Sequence, residues 1–304
     1  MKKFLLKMLV WLVPVIALHL FLGSFAGGNT DTFYRRFTSP KQSNLILGNS
    51  RAAQGIQPTY LKSLNGEKFY NFSFTIFDSP YGETYLKAVQ EKIKPDTKSG
   101  NFIITVDPWS VSNHKNDLHS EPEKKGMLGK LHFFNLNPNY DYLLTNYHKS
   151  WFNIYSTRDS KYKGKMYLNN DGWLELNITF NSEKEYQKNV EEKLSSYRSY
   201  AKEYGVSQNR ISRLNEMIAF LKDHGKVILV RLPQSTAMHQ IEERYSPEFN
   251  GLMQQIATSN GVKFIDFSDS GDAFNYLDGN HLQKDSGREF TKMLNDSLQT
   301  YFKP

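Results

Sequence analysis

A three-layer α/β/α sandwich around a parallel sheet is the fold this sequence predicts. Three observations predict it. The runs Leu45-Ile46-Leu47, Phe102-Ile103-Ile104-Thr105-Val106 and Val227-Ile228-Leu229-Val230 are continuously apolar rather than alternating, as strands buried on both faces are. Helical segments separate the early runs, giving the order β-α-β-α-β before Asp107. With 304 residues, 39% apolar and 14% aromatic, the chain can bury such a core.

Met1-Lys2-Lys3 precedes an apolar stretch from Phe4 to Leu22 that is interrupted only by Lys7, Pro14 and His19. Basic residues ahead of a membrane-length apolar segment mark residues 1–28 as an export signal or single-pass anchor with its start inside the cell. Ser24-Phe25-Ala26 resembles a cleavage site, so the body is either released as a secreted protein or retained at the cell membrane. Retention is the favoured reading, and in either case the body from Asn29 lies outside the cytoplasm, periplasmic or extracellular. Residues 29–42 show no period and read as a linker, leaving 43–304 as one domain.

The first strand ends at Gly48, which lets the backbone turn sharply and delivers Ser50 to the carboxyl end of a central strand, where open α/β sheets hold their ligands. A capping serine at an ordinary strand-to-loop junction reads the same from these residues alone. A short helix follows, closed by Asn65-Gly66, then a second strand over Phe69-Tyr70-Asn71-Phe72-Ser73-Phe74. Asp78-Ser79-Pro80 reads as the cap of a helix carrying Tyr85, Leu86, Val89 and Ile93 on one face. The third strand runs into Asp107-Pro108-Trp109.

Residues 112–180 are too many for a plain loop and read as an insertion. Within it, Lys165–Leu168 and Trp173–Leu176 flank Asn169-Asn170-Asp171-Gly172 as a hairpin. Its aromatic residues suit either a carbohydrate groove or a satellite core. Ser182-x-x-Glu185 is a capping box opening a helix that ends near Gly205, and Ile211, Leu214, Ile218 and Leu221 mark a second helix closing at Gly225. The fourth strand, a helix around Phe249 to Ser259, a last strand over Val262–Phe267 and a helix from about Asp285 to Tyr301 complete the chain.

The formal charge is +7, yet Lys and Arg are interleaved with Asp and Glu, which argues against a nucleic-acid partner and suits anionic surface polymers. No cysteine is present, excluding disulfides and any cysteine nucleophile or metal ligand. His114, His119, His132 and His148 lack metal-ligand spacing, so no metal and no cofactor is expected.

Far downstream, Tyr276-Leu277-Asp278-Gly279-Asn280-His281-Leu282 places an acid three residues before a histidine, a spacing at which both can serve one serine. Together with Gly48-Asn49-Ser50-Arg51 after the first strand, this block resembles the SGNH (GDSL-like) hydrolase superfamily, from about Ser43 to the C-terminus. The resemblance implies a flavodoxin-like sheet and a serine esterase or acyltransferase. Ser50 would be the nucleophile, His281 the base and then the acid, and Asp278 the holder of the imidazole tautomer, with the Ser50 N–H in the oxyanion hole. The sequence departs from the family at Asn49, where Asp is usual, at Ser73-Phe74-Thr75, where a glycine is expected, and at Asp107-Pro108, which replaces a glycine-x-asparagine pattern.

Those departures resemble a divergent membrane-anchored group that includes the D-alanyl transfer protein of teichoic-acid modification and polysaccharide O-acetylation proteins. The implied substrate is an acyl group on a cell-envelope glycan or polymer, with a membrane-bound acyltransferase as a candidate partner. Asn49, Arg51, Ser73 and Asp107 are the candidate oxyanion or substrate contacts. Arg51 reads equally as an anion contact and as a salt bridge bracing the first helix, and Asp107 reads preferentially as the cap of its Pro-Trp turn. Two other functional classes stay open: a non-catalytic carbohydrate-binding or assembly protein that keeps the fold, and a secreted lipase-like esterase.

Overall fold

Continuous apolar runs become inner strands of a five-stranded parallel sheet in the computed structural model, which describes residues 1–160 and 165–302. Residues 161–164 of the expected insertion and 303–304 of the expected domain lie outside the described residues. In chain order the elements are α1 (Lys2–Gly23), α2 (Tyr34–Thr38), β1 (Asn44–Leu47), α3 (Ser50–Gly55), β2 (Phe69–Asn71), α4 (Glu83–Lys92), β3 (Gly100–Thr105) and β4 (Ser112–His114). There follow α5 (Tyr140–Thr145), α6 (Trp151–Thr157), β5 (Met166–Leu168), β6 (Leu174–Leu176), α7 (Glu183–Glu203), β7 (Tyr204–Val206) and α8 (Gln208–Lys222). The chain closes with β8 (Gly225–Arg231), α9 (Thr236–Tyr245), α10 (Phe249–Asn260), β9 (Lys263–Asp266) and α11 (Lys284–Phe302).

The sheet order is β2-β1-β3-β8-β9, the flavodoxin-like order, and it reverses between β1 and β3. At that switch point the carboxyl ends of two neighbouring strands diverge and leave a crevice, so whatever follows β1 and β3 is positioned to meet a ligand. Alternate side chains feed two cores. Leu45, Leu47, Phe102, Ile104, Val227 and Leu229 pack with residues of α4, α8 and α10, while Ile46, Ile103, Ile228 and Val230 pack with residues of α3 and α11. Burial on both faces is why these strands read as unbroken apolar runs; each fully buried side chain contributes about 1.5–3 kcal/mol.

Residues 29–42, expected as a linker, are part of the packed domain. Asp31 Oδ1 accepts the N–H groups of Phe33 and Tyr34 at 2.8 and 2.6 Å, starting α2, and its Oδ2 accepts the Tyr142 hydroxyl at 2.6 Å. Tyr34 and Phe37 then join Ala26, Tyr142, Leu143, Tyr147 and Ile154 in a separate apolar cluster. Arg36 is buried beside them, donating from Nε to the Gly172 carbonyl at 3.0 Å, and burial pulls its guanidinium down to about 10. Much of the insertion's aromatic content is therefore a satellite core, the second of its two expected uses.

Local chemistry accounts for the other differences. The second strand stops at Asn71, because the Tyr85 hydroxyl comes between the strands there, accepting the Gly48 N–H at 3.0 Å and donating to the Phe72 carbonyl at 2.7 Å. α4 begins after Gly82 rather than Asp78-Ser79-Pro80: Asp78 accepts the Thr75 hydroxyl at 2.6 Å and Ser79 donates to the Gly48 carbonyl at 2.7 Å, so both are held by the loop. The short helix expected to close at Gly66 is instead α3 and a 3-10 turn over Pro58–Tyr60. The hairpin forms as β5 and β6, pairing Met166 with Leu176 and Leu168 with Leu174. An unexpected second pair, β4 with β7, ties the start of the insertion to the segment after α7.

α1 is long and apolar enough to cross a membrane, and its apolar window is not buried within the protein. Its last turns are seated on the insertion. The Tyr140 hydroxyl donates to the Leu20 carbonyl at 2.7 Å, and Trp151 meets His19 edge-on at 5.4 Å.

Because α2 completes the satellite core, a chain cut to 43–304 is expected to melt about 10 °C or more below one cut to 29–304, from a loss of several kcal/mol of buried apolar surface. Coincident melting curves would show that the segment is a linker after all.

Candidate active site

Close approach of β1 to β3 shapes the serine turn. Gly48 has φ +151°, and a Cβ there would collide with Thr105 Oγ1, so only glycine fits. Its N–H donates to the Tyr85 hydroxyl at 3.0 Å, which donates in turn to the Phe72 carbonyl at 2.7 Å. Asn49 then caps α3, its Oδ1 accepting the Arg51 N–H at 3.0 Å. Ser50 is thus the first residue of α3, and its own N–H belongs to the helix's opening donors, which have no partner within the helix.

The histidine loop is folded around a carboxylate. Asp278 Oδ1 accepts the N–H groups of Asn280 at 3.1 Å and His281 at 2.9 Å, with Gly279 at φ +76° making the turn. That turn brings His281 Nδ1 to 2.9 Å from Asp278 Oδ2 and His281 Nε2 to 2.8 Å from Ser50 Oγ. With the Nδ1 hydrogen given to Asp278, the single lone pair of Nε2 takes the Ser50 hydroxyl, and the Asn280 amide Nδ2 lies beside it at 3.2 Å. Asp278 and His281 are buried and Ser50 is half-buried.

Burial alone would raise the Asp278 carboxyl, but the charge and hydrogen bonds of His281 and the charge of Lys193 outweigh it and hold it well below the usual carboxylate range. Lys193 Nζ reaches across from α7 to 3.4 Å from Asp278 Oδ2.

Beneath the serine lies a network of buried charges. Arg51 is buried, with its guanidinium 2.6 Å from Glu242 Oε1 and 3.8 Å from Asp107 Oδ2, and its Nε donates to Asn280 Oδ1 at 2.8 Å. Glu242 also holds Arg231 at 2.9 Å and accepts the Trp109 indole N–H at 2.8 Å. Asp107 accepts the Ser110 N–H at 2.9 Å, capping its own turn, and the Asn49 amide at 2.6 Å. Burial pushes the Asp107 carboxyl up, against the pull of Arg51.

The structure therefore brings Ser50, Asp278, His281, Asn49, Arg51 and Asp107 into one connected set. Arg51 takes the bracing arrangement rather than an open anion contact. Ser73 falls outside the set: its N–H bonds Asn71 Oδ1 at 3.2 Å and its hydroxyl the Ile46 carbonyl at 3.4 Å, so both donors are spent on the loop and β1. Glu242, Arg231 and Lys193 escaped sequence reading, since each sits alone in a helix or strand with no motif around it, and Trp109 figured only as part of the turn that Asp107 caps. Asn280 lay within the Asp-x-x-His block without marking itself. Among the described residues no group of three or more His, Cys, Asp or Glu could hold a metal.

No protein-family model and no curated protein sequence matches the chain. Similar solved structures include a lipase/acylhydrolase from Enterococcus faecalis, 13% identical with a TM-score of 0.39, covering 86% of this chain and 98% of that one. A carbohydrate acetylesterase from Sinorhizobium meliloti is 12% identical with a TM-score of 0.37 (86% and 100% covered). Phospholipase A1 from Streptomyces albidoflavus is 10% identical with a TM-score of 0.35 (84% and 98% covered). Likeness at this level assigns no function.

Since the folded-state pKa of Asp278 is depressed, its contribution to stability is complete above the unfolded value of about 4 and is lost as pH falls through the folded value. Asp278→Asn is expected to be less stable than the parent by about 2 kcal/mol at pH 7, with the gap narrowing between about pH 4 and pH 2. Urea titrations across that range check it; a gap that does not change with pH would locate the loss elsewhere than in the carboxylate charge.

Proposed function

We propose that the chain is a serine esterase or acyltransferase of the SGNH type, working outside the cytoplasm on ester-linked acyl groups of a cell-envelope glycan or polymer. The observation that carries the reading is the unbroken line from Ser50 Oγ through His281 Nε2 and Nδ1 to Asp278, with contacts of 2.8 and 2.9 Å. In the first half-reaction Ser50 Oγ attacks the ester carbonyl carbon while His281 Nε2 takes the hydroxyl proton. Collapse of the tetrahedral species breaks the bond to the alcohol, which leaves with that proton, and the acyl group stays on Ser50. Water or an acceptor hydroxyl then attacks the acyl-serine, giving hydrolysis or transfer, and Ser50 recovers its proton through His281. Asp278 fixes the tautomer and faces the imidazolium formed on the way.

The Ser50 N–H is the first oxyanion donor. The Asn49 amide, carrying a second hydrogen besides the one given to Asp107, is the second; Asp107 acts by orienting Asn49. The sheet order and the serine's place at the switch point support the superfamily reading. The apolar helix α1, with Lys2 and Lys3 at its start, supports an anchored protein with its domain outside, where a membrane-bound acyltransferase would be a donor-side partner.

One observation favours a second reading, a glycan-binding protein that no longer turns over. Ser73 and Asp107 stand where the family has oxyanion donors, and both are committed to internal contacts.

A fluorophosphonate probe separates the two readings, because it labels a serine only when that serine is activated. Stoichiometric labelling at Ser50, located by peptide mass spectrometry, is expected, together with hydrolysis of p-nitrophenyl acetate. Ser50→Ala and His281→Ala should each lower turnover by about four orders of magnitude or more, Asp278→Asn by less, and the double variants by no more than the worst single one. A folded wild type that takes no label would favour the binding protein.

A further inference from the structure

Where the insertion meets α1 it leaves large apolar side chains uncovered. Leu144, near the end of α5, is 74% exposed, and Phe152, in the first turn of α6, is 62% exposed. Single exposed apolar residues need no explanation, but these two border a continuous aromatic surface that runs onto α1. The Phe152 ring centre lies 6.3 Å from that of Tyr155, which lies 6.0 Å from Phe21 and 5.3 Å from Phe25. Leu144 stands one helical turn beyond Tyr140, whose hydroxyl holds the Leu20 carbonyl. Gly23 admits this approach, since a Cβ there would press on Tyr140, Leu143 and Trp151.

α6 also has a direction relative to α1. Trp151 meets His19 at 5.4 Å, Tyr155 meets Phe21 and Phe25, and Arg158 lies over the Phe25 ring at 5.4 Å, so the two helices advance in the same sense. The first turn of α6, with the exposed His148 and Lys149 just before it, therefore sits at the end nearest the body of α1. The 22 residues of α1 span about 33 Å, against about 30 Å for a hydrocarbon core, which puts the last turn of α1 and the rings around it at the outer boundary.

We propose that the turn between α5 and α6 is a second membrane contact, with Leu144 and Phe152 entering the outer lipid interface beside α1. The lipid occupant follows from continuity: the apolar surface of α1 is not covered by protein, and the patch adjoins it. Tyr140, Trp151 and Tyr155 are the ring types that collect at a membrane boundary. Lys149 makes no salt bridge among the described residues and suits the phosphate layer above, while the carboxylates of these helices and the residues after them are paired, Asp141 with His132 at 3.1 Å and Asp159 with Arg158 at 3.5 Å. The proposal rests on α1 spanning a bilayer and adds a contact made by the insertion itself.

The chain has no cysteine, so single sites can carry a nitroxide label without other changes. Full-length protein with Leu144→Cys, Phe152→Cys, Leu12→Cys, Asp159→Cys or Ser195→Cys is labelled and reconstituted into vesicles of phosphatidylcholine and phosphatidylglycerol. Collision of each label with oxygen, which concentrates in lipid, is compared with its collision with a water-soluble nickel chelate. Labels at 144 and 152 are expected to favour oxygen, less strongly than the label at 12 in the middle of α1. Labels at 159, past the end of α6, and at 195, on the exposed side of α7, are expected to favour the nickel chelate. All of these residues but Leu12 lie on the protein's own surface, so their melting temperatures should match that of the parent.

Labels at 144 and 152 that favour the nickel chelate, beside one at 12 that favours oxygen, would overturn the second contact and leave the anchor standing. A label at 12 that favours the nickel chelate would overturn both. Dipolar broadening between labels at 144 or at 152 would assign the patch to a second copy of the chain and overturn the lipid occupant.

Discussion

A buried arginine holds the functional end of this molecule together. Arg51 lies between Glu242 and Asp107, and Glu242 in turn pairs with Arg231, so two cations and two carboxylates are enclosed beneath the serine. Removing any one would leave an uncompensated buried charge, which typically costs about 3–5 kcal/mol. The four residues come from α3, the turn after β3, the end of β8 and α9, which must all be placed before any pair can form. Arg51 also sets the chemistry above it. A guanidinium can only donate, so the Asn280 oxygen must face Arg51 and its amide must face His281 Nε2. The imidazole thus has a fixed neighbour on each nitrogen besides the serine itself.

The parts of the fold most legible in the sequence are those governed by one local rule. Strands such as Val227–Val230 are apolar throughout because both faces are covered, and Ser182 caps α7 with the Glu185 N–H as its run of residues suggests. Gly48 could be singled out because its backbone is forced by a neighbour it nearly touches. Legibility fails where a residue's environment is supplied from far away in the chain. Tyr34, Arg36 and Phe37 look aperiodic because α2 is a single short helix whose burial depends on Tyr142, Leu143, Tyr147, Ile154 and Gly172, far along the chain. Asp78 and Ser79 have the composition of a helix cap but are claimed by a loop.

The same rule separates the site into two layers. Ser50, Asp278 and His281 are readable because the acid and histidine share one turn and the serine follows a glycine at a strand end. The charges below them are not readable: Arg231 and Glu242 are eleven positions apart on different elements, and Arg51 is remote from both. Nothing in a single sequence distinguishes a buried glutamate on α9 from the half-buried Glu243 beside it; only packing does.

The seat of α1 on the insertion bears on how the molecule would search for its substrate. Ala26 is buried, and the chain continues without slack through α2 into β1, while Tyr140 and Trp151 clasp the helix from the side. If α1 spans a bilayer as proposed, a domain on a loose tether would sweep a hemisphere above it, whereas one clasped in this way would be limited to rotation about the helix axis, tilt of the helix and lateral drift. Ser50 would then travel in a thin slab at nearly constant height. Encounters with anything anchored in the same bilayer then become a two-dimensional search, and a polymer rooted elsewhere is reached only by the portion of its length that crosses that slab.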